Sequence, residues 1–164
     1  MKILVVSDTH GSADGFSKAV EAEHPDQVFH LGDIMGQKEL FEEIAGVPVY
    51  AVKGNCDSFF SDLPEDLCID IGRHRAYLAH GHRHDVRYSM DILVTDAQAN
   101  IADVAIYGHT HVPQNTPSYN GVTIINPGSL TYPRQPAGQR TYAVIEVDDR
   151  GELRVDMKTI DQGH

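Results

Sequence analysis

Lys2-Ile3-Leu4-Val5-Val6-Ser7-Asp8-Thr9-His10-Gly11 opens the chain with an apolar run that stops at a carboxylate, an imidazole and a glycine. A run this short and this rich in β-branched residues reads as a strand, and the polar cluster as the turn that ends it. The same sentence recurs along the sequence. Val28 to Leu31 is followed by Gly32-Asp33, and Val47 to Val52 by Gly54-Asn55-Cys56-Asp57. Ala76 to Ala79 leads into His80, His82 and His84, and Val104 to Tyr107 into Gly108-His109-Thr110-His111. Val122 to Ile125 and Tyr142 to Val147 complete the apolar runs.

Between the runs the spacing changes from strand-like to helical. Phe16, Ala19, Val20 and Glu23 predict a helix ending before Pro25. Leu40, Phe41 and Ile44 predict a second, with Gly46 as C-cap, and Met90, Leu93, Val94 and Ala97 a third. Asn120-Gly121 and Asp149-Arg150-Gly151 mark hairpin turns in a late part richer in strands. The expectation is one α/β domain over residues 1–164, with largely parallel or mixed sheets covered by helices and a polar tail at Asp161 to His164.

Composition narrows the function. The 164 residues carry 13 Lys plus Arg against 24 Asp plus Glu, a net charge of −11, with the basic residues scattered. That balance argues against stable nucleic-acid binding, which works by neutralising phosphates, and favours cations as guests. Apolar residues make up 41%, enough for a real core. No run approaches the roughly 20 apolar residues of a membrane span, and Ile3 to Val6 is too short for a signal-peptide core. Cys56 and Cys68 have no CxxC spacing, so a reducing, cytoplasmic setting is expected, with homo-oligomerisation left open.

Ten histidines are a high share, and five of the run ends carry groups able to bind metal. In open α/β sheets ligands bind beyond the carboxyl ends of strands. A single Asp-x-His means little, since about one is expected by chance in a chain of this make-up; the ordered set is what carries weight. Carboxylate and imidazole donors without thiolate suit Mn, Fe, Ni or Zn. Residues i and i+2 at an extended strand end share a side, so Asp8 can act with His10, and His109 with His111. Two neighbouring cations need a shared anionic ligand, and Asp33 is the natural bridge.

In order and spacing, Asp8-Thr9-His10-Gly11, Gly32-Asp33, Gly54-Asn55-Cys56-Asp57, His80-Gly81-His82 and Gly108-His109-Thr110-His111 resemble the calcineurin-like metallophosphoesterases. Asn126-Pro127-Gly128-Ser129 resembles a turn of their small bacterial and archaeal phosphodiesterase branch. The resemblance covers Lys2 to Val147. It implies a four-layer α-β-β-α sandwich of two mixed sheets flanked by helices. It also implies two divalent ions, Mn first with Fe, Ni or Zn as alternatives: Asp8, His10, Asp33 and His111 on one, and Asp33, Asn55, His80 and His109 on the other. The implied activity is hydrolysis of a small phosphoester by a water that the two ions activate for in-line attack on phosphorus. Asn55, Cys56 and His80 would then stand at the reacting group and His82 beside the substrate. Many members carry His where this chain has Cys56, a weaker proton donor. That departure is itself a feature of the small branch and turns the expectation toward diesters with good leaving groups. The rival readings are a protein-binding scaffold of the same fold, as in retromer-type relatives, and a phosphomonoesterase.

Other residues have plainer readings. A cysteine phosphatase would need Arg six positions after the thiol, but Asp62 and His74 stand there. His30, inside an apolar run, reads as a hydrogen-bonded core residue, and His24, His74, His84 and His164 as solvent-facing. Asp57 either orients the Asn55 loop or simply stabilises a turn, and Arg83, Arg87 and Arg134 read as surface charges that could clamp a phosphate.

Overall fold

The computed structural model describes residues 1–58 and 61–160; the tail Asp161 to His164 lies outside them. In chain order the elements are β1 Lys2–Val6, α1 Asp14–Glu23, β2 Gln27–His30, α2 Lys38–Ala45, β3 Val49–Ala51, β4 Asp66–Ile71 and β5 His74–Ala79. They continue with α3 Asp91–Ala99, β6 Val104–Ile106, β7 Gln114–Tyr119, β8 Val122–Asn126, β9 Thr141–Val147 and β10 Leu153–Thr159. No helix among the described residues is long and apolar enough to cross a membrane.

The strands form two five-stranded sheets, ordered β10-β9-β1-β2-β3 and β4-β5-β6-β8-β7. Each has a parallel centre, β1 with β2 and β3 in one and β5 with β6 and β8 in the other, and antiparallel strands outside it. The sheets pack face to face through Ile3, Val5, Phe29, Leu78, Ile106 and Ile145, all fully buried. The outer face of the first sheet is covered by α1 and α2 through Leu4, Val6, Val28, Phe16 and Phe41, and that of the second by α3 through Tyr77, Ala105, Leu93 and Val94. Four layers result, as the resemblance implied. Each fully buried Ile, Leu or Phe contributes roughly 1.5–3 kcal/mol. The Phe16 and Phe41 rings stack at 4.2 Å and 8°, joining α1 to α2 beyond simple area burial.

The helix ends follow the sequence reading. His24 at φ 48° and Gly46 at φ 66° close α1 and α2 in left-handed conformation, bonding back to the carbonyls of Val20 and Glu42. Three strands escaped the search for continuous apolar runs. β4 and β10 instead alternate, Leu67, Ile69 and Ile71 in one and Leu153, Val155 and Met157 in the other, because an edge strand buries one face only. β7 is polar and holds Pro117 within a register shift between Thr116 and Tyr119, which only an edge position tolerates. The Val47 to Val52 run shortens to the three residues of β3.

Candidate metal centre

The carboxyl ends of all six parallel strands deliver residues to one place. β1 supplies Asp8 and His10, β2 Asp33, β3 Asn55 and Cys56, β5 His80 and His82, β6 His109 and His111, and β8 the turn from Asn126 to Ser129. β4, β7 and β9 run antiparallel to these and deliver their carboxyl ends to the opposite edge, while β10 runs the same way as β1 but is the outermost strand, separated from it by β9.

Asp8 is the hub. Its Oδ1 lies 3.1 Å from His111 Nε2 and 3.7 Å from both His10 Nε2 and His80 Nε2. Oδ2 is held from behind by the Ser7 hydroxyl at 2.5 Å and the His109 backbone N–H at 3.0 Å. Asp33 Oδ2 stands 3.5 Å from His10 Nε2 and 3.4 Å from His80 Nε2, while its Oδ1 accepts the Cys56 N–H at 2.8 Å. Asn55 Oδ1 is 3.0 Å from His80 Nε2, and the Nε2 atoms of His10 and His111 are 3.4 Å apart. Burial alone would raise the Asp8 carboxyl's pKa, but the imidazoles of His10 and His111 and the charge of His80 outweigh it and hold the group well below the usual carboxylate range. Asp33 is lowered in the same way, burial being outweighed chiefly by His80.

Among the described residues three sets of donors lie close enough to share a cation: Asp8 with His10 and His111, Asp8 with Asp33 and His80, and His10 with Asp33 and Cys56. Two further observations show that the donor set fits a metal. Asp8 Oδ1 is buried with no hydrogen-bond partner, an arrangement that costs free energy unless a cation satisfies it. The far nitrogens of two imidazoles are tied to carbonyls, His80 Nδ1 to Leu31 at 2.5 Å and His111 Nδ1 to Tyr132 at 2.7 Å. In the neutral form that binds a metal, each would therefore carry its proton on Nδ1 and present the Nε2 lone pair inward.

The backbone is bent to make this convergence. Asp8, His10, Asp33, His109 and His111 have φ between 47° and 69°, the left-handed region that side chains rarely adopt. Close approach removes side chains elsewhere: a Cβ on Gly54 would lie 2.1 Å from Asp33 Oδ1, and one on Gly108 2.1 Å from Ser7 Oγ. Asp57 stitches two loops together, taking N–H bonds from Gly54, Asp33 and Met35 at 2.7, 2.9 and 2.8 Å. Of its two sequence readings, loop orientation is the one the structure shows. The Asn126 side chain bonds the Gly108 carbonyl and Thr110 hydroxyl, and Ser129 Oγ bonds the Asp8 carbonyl, so the β8 turn braces both histidine-bearing loops. Ser129 belongs to the turn that carries the resemblance, whereas nothing in the sequence points to Ser7; a hydroxyl beside a buried carboxylate gives no spacing signal.

The remaining expectations divide. His109 turns its ring to His80, 5.1 Å between centroids, and stands outside the three close donor sets; burial pushes its pKa down to about 4. His82 packs against His80 and His109 at 5.4 and 6.2 Å, with its Nδ1 buried and unpartnered. Cys56 is exposed, and partial desolvation together with Asp33 pushes its thiol pKa up. His30 is a core residue as read: it accepts the Gly32 N–H at 3.1 Å, faces Thr9 Oγ1 at 2.9 Å, and is held neutral by burial, its pKa pushed down to about 4. Two histidines correct the reading. His84 is buried, 3.2 Å from the Tyr77 hydroxyl and 3.0 Å from Asp96, because its loop folds back over α3. His74 is half-buried and bonded to Asp103 at 2.7 Å. Arg83 turns away to Glu65 at 3.7 Å.

Residues 1–150 match the calcineurin-like phosphoesterase superfamily domain. The chain belongs to that superfamily. A probable metallophosphoesterase of Mycoplasma pneumoniae is 34% identical over 149 residues, covering 89% of each chain. The phosphodiesterase MJ0936 of Methanocaldococcus jannaschii is 30% identical over 145 residues, 78% of this chain and 83% of that one. Among solved structures, a predicted phosphoesterase of Streptococcus pneumoniae superposes with a TM-score of 0.81 at 31% identity, over 96% of this chain and 88% of its own. Vps29 of Entamoeba histolytica in complex with Zn shares the fold at 0.76 and 21% identity, over 97% and 99% of the two chains. Membership makes this chain a metallophosphoesterase by family, with a metal-competent donor cluster where the parallel strands end.

Proposed function

We propose that the protein is a phosphodiesterase that holds two divalent ions in the cleft, Mn foremost, and acts on a small phosphoester in the cytoplasm. The observation that carries this reading is the pair of overlapping donor sets around a buried carboxylate oxygen with no hydrogen-bond partner. Asp8, His10 and His111 would hold one ion. Asn55, His80 and His109 would hold the other, with Asp33 Oδ2, almost equally far from His10 and His80, as the bridge. His109, which stands outside the close donor sets, would have to shift to join. When bound, the ions supply an acidified water and draw charge from the phosphoryl oxygens.

The chain's own groups do the rest. The Leu31 and Tyr132 carbonyls keep His80 and His111 in one tautomer, and Asp57 fixes the Asn55 loop, so the donors are placed before substrate arrives. In the hydrolysis a water oxygen bonds phosphorus as the bond to the leaving alkoxide or aryloxide breaks, and a proton passes to the departing oxygen. Cys56, at the mouth, is a poor donor for that proton, which favours diesters whose leaving group departs unaided. His82, with a buried unpartnered nitrogen beside His80, faces the substrate.

Hydrolysis of bis-p-nitrophenyl phosphate by the Mn-loaded protein tests this, with p-nitrophenyl phosphate alongside. A rate on the diester well above metal-free protein and above the monoester is expected. A faster monoester makes it a phosphomonoesterase. No rate with any of Mn, Fe, Ni or Zn favours the scaffold reading, which the shared fold with Vps29 keeps in view.

A further inference from the structure

A groove of about 610 Å³ runs on from the histidine loop of β6. Val86, Met90, Val112 and Pro113 make it largely apolar, and Thr110, between His109 and His111, joins it to the metal centre. Two guanidiniums, Arg87 and Arg134, line the same groove from loops 47 positions apart. Their lack of partners sets them apart. Arg73, Arg75, Arg83, Arg140 and Arg154 each face a carboxylate. Among the described residues Arg87, Arg134 and the hairpin-turn residue Arg150 do not. In a chain of net charge −11, two uncompensated cations in one apolar groove form a local anion-binding field.

The geometry points to a substrate whose non-leaving arm lies in this groove and combines a flat, weakly polar body with a second anionic group, the chemistry of a phosphorylated nucleoside. This rests on the phosphodiesterase reading, which places the scissile phosphate at the metal centre. The groove adjoins that centre: the Arg134 backbone N–H bonds the His111 carbonyl at 3.2 Å, and Thr110, between His109 and His111, lines it. Val86, Met90 and Pro113 offer a surface for a base, and the guanidiniums a bidentate grip on a phosphate. Arg87 and Arg134 are then specificity-determining residues.

The test compares thymidine 5′-(4-nitrophenyl phosphate) with the same ester bearing a 3′-phosphate, both releasing nitrophenolate, on the Mn-loaded protein. Wild type should favour the 3′-phosphorylated ester about ten-fold or more in kcat/KM, mainly through KM. The Arg87→Gln/Arg134→Gln variant should bring the ratio near one, and because the ratio is read within one variant, a change in overall rate cancels. Equal kcat/KM for the two esters in wild type, or an unchanged ratio in the variant, overturns the groove assignment while leaving the phosphodiesterase reading intact. If neither ester turns over, that reading fails, and calorimetric binding decides the groove on its own. A preference for thymidine 3′,5′-bisphosphate over thymidine 5′-phosphate, lost in the variant, supports it; equal binding of the two overturns it.

Discussion

At the scale of single residues, Asp33 and Asp57 have the same chemistry and opposite tasks. Asp33 stands between two imidazoles with one oxygen open to the cleft, whereas Asp57 spends both oxygens on backbone N–H groups. Asp33→Asn should therefore weaken both ions, whereas His10→Ala should mainly loosen one. Metal content of the dialysed variants checks this, and equal losses in the two would contradict a bridge. Asp57→Ala strands three N–H groups in a buried place and should cost about 3 kcal/mol in denaturant unfolding. It should also weaken metal binding roughly 10–100-fold, as lost support behind a ligand does. A stability loss with metal affinity untouched would show Asp57 to be a turn residue only. Both carboxylates stand out in the sequence; which of them is open to the cleft does not.

One polar cluster that ties several elements together is pH-sensitive. Glu23, at the end of α1, takes bonds from Lys158 Nζ of β10 at 2.9 Å and from the Tyr142 hydroxyl of β9 at 2.7 Å, with Lys2 Nζ of β1 3.5 Å away. Burial alone would raise its pKa, but Lys158 and Tyr142 outweigh that and lower it. A carboxylate depressed in the folded state stabilises the fold fully above its ordinary titration range, and that share is lost as pH falls through the depressed value. Between pH 7 and pH 3 the wild type should thus lose more stability than Glu23→Gln, measured as urea midpoints. Parallel losses would mean that the lysines, half in water, are screened too well to matter. Glu23 is predicted in sequence as part of a helical face, but its partners lie 119 and 135 positions away. No local pattern could reveal them.

For the whole molecule, metal binding and folding should be one equilibrium. Five bent backbone positions and a buried unpaired carboxylate oxygen at one sheet edge store free energy that bound ions offset. Saturating a site at a hundred times its Kd adds about 2.7 kcal/mol, which at this chain length is roughly 5–10 °C in Tm. EDTA should lower Tm by at least that amount and Mn should restore it in calorimetric scans. An unchanged Tm would mean that the cleft binds no metal in solution. Beside the cleft, the groove keeps two of the few arginines that face no carboxylate, Arg87 and Arg134, for the substrate.

The chain alone made the metal-competent turns and the central strands legible. Strands buried on both faces must be continuously apolar, and each ends where polar ligands can begin, so β1, β2, β5, β6 and β8 and the ligand-bearing turns could all be read in order. Its edges were legible too, in the alternation of β4 and β10, though only to a search for period two. The tertiary structure alone decided what those turns do together. Whether His84 faces water or Tyr77, whether Asp57 braces the cleft, and that Arg87 and Arg134 share a groove are consequences of contacts between distant segments. Sequence records the periodicity of each segment; packing fixes which segments meet, and neither burial nor pairing exists until they do.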